Sequence, residues 1–357
     1  MKFTDIFDDV TKQGKKISTE NYLSQGQHPI IDQGHTTIAG YTNQTEGLFT
    51  DVPAIIFGDH TRIIKYVDTP CFLGADGVKL LKAKVPNANY KYLYYVLSHA
   101  DIPNTGYNRH FKWLKEVEIP IFSEVEQKKI VAELEKVDRL ISLRKQQLSK
   151  LDELVKSRFI ELFENGESPI KTVEELCSDI VDCPHTTPKY EGELKNPAIR
   201  TSEIKKGYIA WETMRYVSDE EYEERTARLK PEAGDIVYGR EGTFGNAAIL
   251  PGGYNFCLGQ RVMLLRPDYS KCTSEYLLHS VISDDVYRQA TEKNNASTVA
   301  HVNVKDVKQF KVPLPSFDKQ NQFATFVEQT DKSKLEIQKS LEKLETLKKA
   351  LMQKYFG

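Results

Sequence analysis

The most regular feature of the chain is a hydrophobic series that advances in alternating steps of four and three. It runs through Ile130, Leu134, Val137, Ile141, Arg144, Leu148, Leu151, Val155, Arg158 and Leu162, and is almost entirely apolar. A second series runs through Phe323, Val327, Thr330, Lys334, Ile337, Leu341, Leu344, Lys348, Leu351 and Tyr355. Sustained over about five heptads, this spacing predicts two long helices of the kind that pair as a coiled coil. A helix of that length spans about 60 Å. Thr330, Lys334 and Lys348 interrupt the second seam and leave its register open.

The two series are copies of one unit. Residues 117–164 align with residues 310–357 without a gap, keeping Pro120/Pro313, Ser123/Ser316, Gln127/Gln320, Glu135/Glu328, Asp138/Asp331, Leu148/Leu341, Leu151/Leu344 and Phe163/Phe356. Each copy opens on an apolar, proline-containing segment, which is extended and stops before a helix. Ser123 and Glu126 then form a capping box, whereas Ser316 faces Lys319, which breaks it. Gly166 and Pro169 end the first helix. The plain alternative is two amphipathic helices on separate domains. The sharper expectation is antiparallel pairing with each other as a rigid spacer.

The remaining sequence divides into residues 1–116 and 166–309, flanked by the helical segments 117–165 and 310–357. Both blocks read as mixed α/β. In the first, residues 29–31, 54–57, 62–67 and 78–81 read as strands and 90–98 as an apolar helix. In the second, 234–239 matches 54–58, 256–265 resembles 71–81, and 275–279 sits where 92–96 sits. The expected fold class is α+β, two globular domains separated by two long helices in a pseudo-two-fold repeat. A length of 357 residues suits two domains.

Composition adds exclusions. With 39% hydrophobic and 28% charged residues and no long apolar run, the chain reads as a globular protein away from membranes. An acidic N-terminal segment without a signal-peptide core predicts a cytoplasmic location. Five scattered cysteines without a C-x-x-C read as reduced, mostly buried thiols, and no histidine spacing suggests a metal site. A net charge of −2 gives no bulk argument for nucleic acid.

Catalytic signatures are missing. The run Gly239-Arg-Glu-Gly-Thr-Phe-Gly245 lacks the features of a phosphate loop and reads as a tight turn. Glu193/Lys195 and Glu203/Lys205 match half of a nuclease site, as any charge-rich chain would. A non-catalytic binding protein is expected. The loops carry side chains that read DNA, where Arg pairs with guanine, Asn or Gln with adenine, and Ser or Thr with either or with phosphate. In the first block these are Gln33, His35, Thr36, Asn43, His60, Arg62, Tyr107, Asn108 and Arg109. In the second they are His185, Thr186, Thr187, Lys189, Arg200, Thr201, Ser202, Arg240, Thr243, Arg261 and His301. Each alone is most simply a solvated turn; their recurrence in corresponding places gives them weight.

Taken together, residues 117–130 with their echo at 310–323, Gly234-Asp-Ile-Val-Tyr-Gly-Arg-Glu-Gly-Thr243, and Cys183-Pro-His-Thr-Thr-Pro-Lys-Tyr190 leading to residues 198–205 resemble the specificity subunits of type I DNA restriction–modification systems. The likeness covers essentially the whole chain. It implies that each block reads one half of a bipartite double-stranded DNA target, and that the helices set the spacing. It also implies docking of two modification subunits, which use S-adenosylmethionine to methylate adenine, and two ATP- and Mg-dependent restriction subunits, with no cofactor in this chain. Replacing Arg62 or Arg240 is then expected to alter target choice, and charging Leu148 or Leu341 to abolish assembly. A two-headed coiled-coil adaptor that binds protein or carbohydrate stays open as the alternative.

Overall fold

The structure is a computed structural model that describes residues 1–74, 76–164, 168–192, 195–242, 245–292 and 301–357. Gly166, Glu193 and Thr243, singled out above, lie outside the described residues. The chain divides into two compact units. One comprises Met1–Gln146 and Gln338–Gly357, the other Gln147–Ile337. The division passes through both long helices, Glu124–Phe159 and Phe317–Phe356. Each unit therefore holds the start of one helix and the end of the other.

The first unit is built on a four-stranded sheet of order β1-β7-β4-β5, where β1 is Phe7–Asp9, β4 Ala54–Gly58, β5 Ile64–Val67 and β7 Val78–Ala83. All five residues of β4 are buried, as befits a central strand. A smaller sheet joins β2 (His28–Ile31) to β3 (Gly40–Thr42) antiparallel and to β6 (Phe72–Leu73) parallel. The helix Tyr90–His99 is capped by Asn89, whose side chain accepts from Tyr92 N.

The second unit repeats this plan. Its main sheet has the order β14-β13-β16-β9, with β9 at Cys177–Asp182, β13 at Ile236–Gly239, β14 at Ala247–Ile249 and β16 at Val262–Pro267. Its smaller sheet joins β10 (Tyr190–Glu191), β12 (Arg215–Val217), β11 (Asn196–Ile199) and β15 (Cys257–Leu258), with β11 and β15 parallel. The helix Ser274–Val281 is capped by Thr273 at Tyr276 N. A further pair, β8 (Ile170–Thr172) with β17 (Lys311–Pro313), ties the segment before the second long helix to its unit. The bridge Lys2↔Glu118 does the same in the first unit. The repeat even keeps single bonds: Phe3 N donates to Val117 O at 3.0 Å, and Val173 N to Phe310 O at 2.9 Å.

The duplicated residues have duplicated reasons. Ser123 and Glu126 make the reciprocal cap, Glu126 N to Ser123 Oγ at 3.3 Å and Ser123 N to Glu126 Oε2 at 3.1 Å. Gln127 Nε2 donates to Phe122 O and Gln320 Nε2 to Pro315 O, so both glutamines hold the extended segment against the first helical turn. Phe356 meets Tyr92 edge-on in the first unit, and Phe163 meets Tyr276 edge-on in the second.

Within each unit the helices run antiparallel. In the first, Lys348 pairs with Asp138 at 2.6 Å and Arg144 Nε donates to Ser340 Oγ at 3.2 Å. In the second, Lys334 pairs with Asp152 at 2.6 Å and Phe159 packs on Phe323. Two of the polar interruptions of the second seam, Lys334 and Lys348, thus have partners on the facing helix, which settles the local register in each unit. Thr330 donates its hydroxyl to Phe326 O. Among the seam positions, Ile130, Leu134, Val137, Val155, Phe323, Val327 and Leu341 are buried, and Ile141, Leu148, Leu151, Leu162, Ile337, Leu344 and Leu351 half-buried. Leucines off the seam (Leu140, Leu143, Leu154, Leu335 and Leu347) are exposed.

All five cysteines are free and four are buried. Burial pushes the thiol of Cys71 up to about 11 and those of Cys257 and Cys272 up to about 12. Among the described residues no helix is long and apolar enough to cross a membrane, and no group of side chains is arranged to hold a metal ion.

One half-buried histidine is expected to give the second unit a pH dependence. His279 packs edge-on against Phe323 and beside Phe159. Burial, followed by the charges of Lys334 and Lys206, lowers its pKa to about 4. The unfolded chain takes up that proton near its ordinary value, so stability falls as pH drops below about 6.5 and the loss is complete below about 4. Between pH 7 and pH 5 this costs about 2 kcal/mol, which His279→Phe removes. Urea unfolding at the two pH values checks it; equal losses in wild type and variant would exclude His279 as the source.

Candidate nucleic-acid interface

The expected loops gather at one end of each main sheet, where β4 or β13 ends and β7 or β16 begins. The same backbone frame holds them in both units. Gly58 N donates to Ile63 O, Asp59 N to Gly77 O and His110 N to Asp59 O. In the second unit Gly239 N donates to Asn246 O, Arg240 N to Arg261 O and Val302 N to Arg240 O. Gly74 N to Ile31 O and Gly259 N to Ile199 O, both 2.7 Å, fasten the smaller sheet to the frame. Asp59 therefore corresponds to Arg240, and Gly77 to Arg261. One backbone scaffold carries two different sets of side chains.

In the first unit Gln33 and His60 are the hubs. Gln33 Nε2 donates to Asp76 O at 3.1 Å, its Oε1 accepts from His60 N at 3.2 Å, and its carbonyl accepts from Thr61 Oγ1 at 2.6 Å. The His60 ring lies flat on Tyr107, centroids 4.7 Å apart and planes 7° from parallel, and its Nδ1 faces Asn108 O at 3.1 Å. Tyr107 is 89% exposed, an aromatic face open to solvent on a fixed support. Arg109 is exposed nearby and, after Lys16, contributes to holding the Asp76 carboxyl below its ordinary value. Arg62 has a left-handed backbone (φ 63°) and donates from Nη1 to Ile102 O at 3.0 Å. His35 and Thr36 are exposed on the turn after β2, which the buried Lys65 fixes through Asp32 and through Thr36 O at 2.7 Å. Burial lowers the pKa of Lys65 against the opposing pull of Asp32. Asn43 stands apart. It accepts from Gln27 N at 3.1 Å, beyond the His28 end of β2, whereas Gln33 follows the Ile31 end.

In the second unit several expected readers are turned inward. Arg240 is 6% exposed and pairs with Asp182 at 2.8 Å. Arg200 makes a two-pronged pair with the buried Glu203, donates to Thr213 O at 3.0 Å, and lies over the Tyr190 ring with Arg215. Ser202 Oγ donates to the same carboxylate at 2.7 Å, and Thr201 beside it is half-buried. Thr186 is gripped by Arg225, whose Nη1 and Nη2 reach its hydroxyl and carbonyl at 3.3 and 3.2 Å while its Nε reaches Leu258 O at 2.9 Å. Thr187 Oγ1 accepts from Gln260 Nε2 at 2.9 Å. His185 is exposed, 3.6 Å from Asp182, and Lys189 is exposed. Arg261 is exposed and pairs with Glu241 at 2.9 Å; His301 Nδ1 lies 3.3 Å from the same carboxylate.

Sequence reasoning missed the supports: Asp32, Lys65, Asp76, Gln260, Glu241 and above all Arg225. Glu221 and Arg225 stand four apart on the helix Asp219–Arg225, the spacing of an ordinary surface ion pair. Only their burial reveals a clamp. The E-x-K residue Glu203 is wholly buried against Arg200, and Lys205 Nζ donates to Ser202 O. That pair forms no nuclease centre with an open carboxylate.

Comparison with known proteins agrees with this layout. The family model described as the type I restriction modification DNA specificity domain matches residues 1–153 and 186–349. The chain is 22% identical over 352 residues to the specificity subunit of the type I restriction enzymes EcoR124I/EcoR124II of Escherichia coli, covering 88% of this chain and 82% of that one. It is 29% identical over 182 residues to the putative MjaX specificity subunit of Methanocaldococcus jannaschii, covering 48% and 41%. Its fold is similar to the S subunit of a type I restriction-modification system from M. genitalium, with a TM-score of 0.59 at 18% identity over 100% and 95% of the chains. A chain from a structure of the assembly and conformational transition of a type I R-M system matches with a TM-score of 0.54 at 16% identity over 99% and 95%.

Proposed function

We propose a role for each unit from one premise: this chain belongs to the type I restriction–modification DNA specificity family. Each unit reads one half of a bipartite double-stranded DNA sequence through the loops at the end of its main sheet. The observation that carries this is the shared frame with unshared side chains. Asp59 and Gly77 in one unit stand where Arg240 and Arg261 stand in the other. A repeat that keeps its backbone bonds and changes its loop side chains suits one kind of ligand with two different sequences. The long helices set the spacing between half-sites and dock two modification subunits, and two ATP-driven restriction subunits complete the complex. Antiparallel contacts within each unit support the spacer role. The chain itself is non-catalytic; S-adenosylmethionine and the adenine extruded for methylation belong to the modification subunit.

The test is methylome sequencing of cells given this chain with its modification subunit, against that subunit alone. A new bipartite motif with a methylated adenine is the expected result. Co-purification of the two proteins without any new motif would refute DNA reading by these loops. Absence of both motif and association would favour a two-headed adaptor.

A further inference from the structure

We propose that Arg261 is the residue through which the second unit reads a base, and that the base is guanine. This rests on the DNA-reading role proposed above and adds to it a residue and a base.

The backbone supplies the first observation. Arg261 has a φ of 66° and its counterpart Gly77 a φ of 88°. Glycine takes this left-handed conformation freely, and a residue with a side chain is strained in it. In the first unit a Cβ at Gly77 would come within 2.7 Å of Gln33 Nε2 and His60 Cδ2, so a side chain there would push the Gln33 and His60 side chains out of the contacts they make. In the second unit the corresponding position holds an arginine despite the strain. Strain of that kind persists where the side chain has a use.

The side chain supplies the second. Arg261 is 64% exposed, yet Glu241 Oε2 holds its Nε at 2.9 Å. Glu241 is itself held: its other oxygen lies 3.3 Å from His301 Nδ1, and His301 Nε2 lies 3.1 Å from Asn303 Oδ1. With Nε engaged, Nη1 and Nη2 remain as two parallel donors with no hydrogen-bond partner among the described residues. That fork matches O6 and N7 on the major-groove edge of guanine. A side chain already held in place loses less freedom when it binds. The paired carboxylate also decides between base and phosphate. Glu241 cancels the charge that attracts a phosphate and repels the phosphate itself, whereas the hydrogen-bonding fork stays intact for a neutral base edge.

The neighbouring arginines supply the third by contrast. Arg240 is buried on Asp182, Arg200 is doubly engaged by Glu203, and Arg225 has both terminal nitrogens on Thr186.

The experiment uses the complex of this chain with its modification subunit. Wild type is expected to write a motif with a guanine at one position of the half-site read by the second unit. Arg261→Ala relaxes that position alone, by about tenfold to a hundredfold in discrimination, the range for one two-pronged base contact. Arg261→Gly, which removes the backbone strain, does the same in a chain that folds at least as well. Replacing that guanine with 7-deazaguanine, which lacks N7, weakens wild-type binding and leaves Arg261→Ala unaffected. An unchanged motif in both variants, relaxation at a position that is not guanine, or equal sensitivity of wild type and Arg261→Ala to the 7-deaza substitution would each overturn the assignment. A wild-type complex that writes no motif would remove the DNA-reading role first, and the assignment with it.

Discussion

Phe163→Ala destabilises the second unit by about 3–5 kcal/mol, the range for truncating a buried phenylalanine, while Phe356→Ala costs the first unit only about 1–2 kcal/mol, because part of that ring already faces water. The two residues occupy the same position of the repeat. Phe163 is fully buried, ringed by Phe159, Tyr276 and Phe323 at centroid distances of 4.9, 5.1 and 5.3 Å. Phe356 keeps the edge-on contact with Tyr92 at 5.8 Å, but its other ring neighbours, His99 and Tyr355, lie beyond 6 Å and it stays partly exposed. The chain offers a way to follow each unit separately, since one of its two tryptophans, Trp113, lies in the first and the other, Trp211, in the second. Guanidinium unfolding with a single tryptophan retained would measure both variants. Equal costs would mean that the aromatic packing of the second unit is no tighter than that of the first.

The same comparison shows what the sequence made legible. The helices were visible because heptad spacing and a gapless repeat are local properties of the chain. Their facing seams follow from the same spacing, and the polar positions that left the register open, Lys334 and Lys348, prove to be register markers with partners at Asp152 and Asp138. The strands around β4 and β7 were legible because buried β-branched runs lie between turn residues. The position of Asn43 was not, because it depends on which end of the β2–β3 hairpin faces the loop cluster, and composition does not carry that.

The interface was legible in its residue types and much less so in their roles. Arg240, Arg200 and Arg261 are equivalent letters in a loop. Burial separates them: Arg240 is closed off by Asp182, distant in the chain, and Arg200 by Glu203 and Thr213, whereas Arg261 stays on an exposed turn. Arg62 shows the same ambiguity in the first unit, with a strained backbone that suggests function and a guanidinium already committed to Ile102 O. Target choice in the second unit is therefore expected to respond to Arg261 in base identity, and to Arg240 through the placement of its loop.

Glu203→Ala is expected to destabilise the second unit by about 3 kcal/mol, the lower part of the range for removing one partner of a buried ion pair. The Glu203 carboxylate is wholly buried and accepts from Arg200 N, Nε and Nη2, from Ser202 Oγ and from Thr213 Oγ1. Burial alone would raise its pKa; those donors, Arg200 first, outweigh it and leave the pKa below the ordinary value. A depressed carboxylate stabilises the fold at neutral pH, and that contribution disappears as pH falls through its folded-state pKa. Removing the carboxylate strands a guanidinium that is only partly exposed and loosens the turn carrying Thr201 and Ser202. Glu203→Gln keeps an acceptor without the charge, so its cost should be smaller and its stability should lack this acid-sensitive component. Unfolding of the Trp113→Phe background, read through Trp211 at pH 7 and at pH 4, measures both effects. A Glu203→Ala chain as stable as wild type would leave Glu203 without a structural role and return the glutamate to the list of residues kept for chemistry.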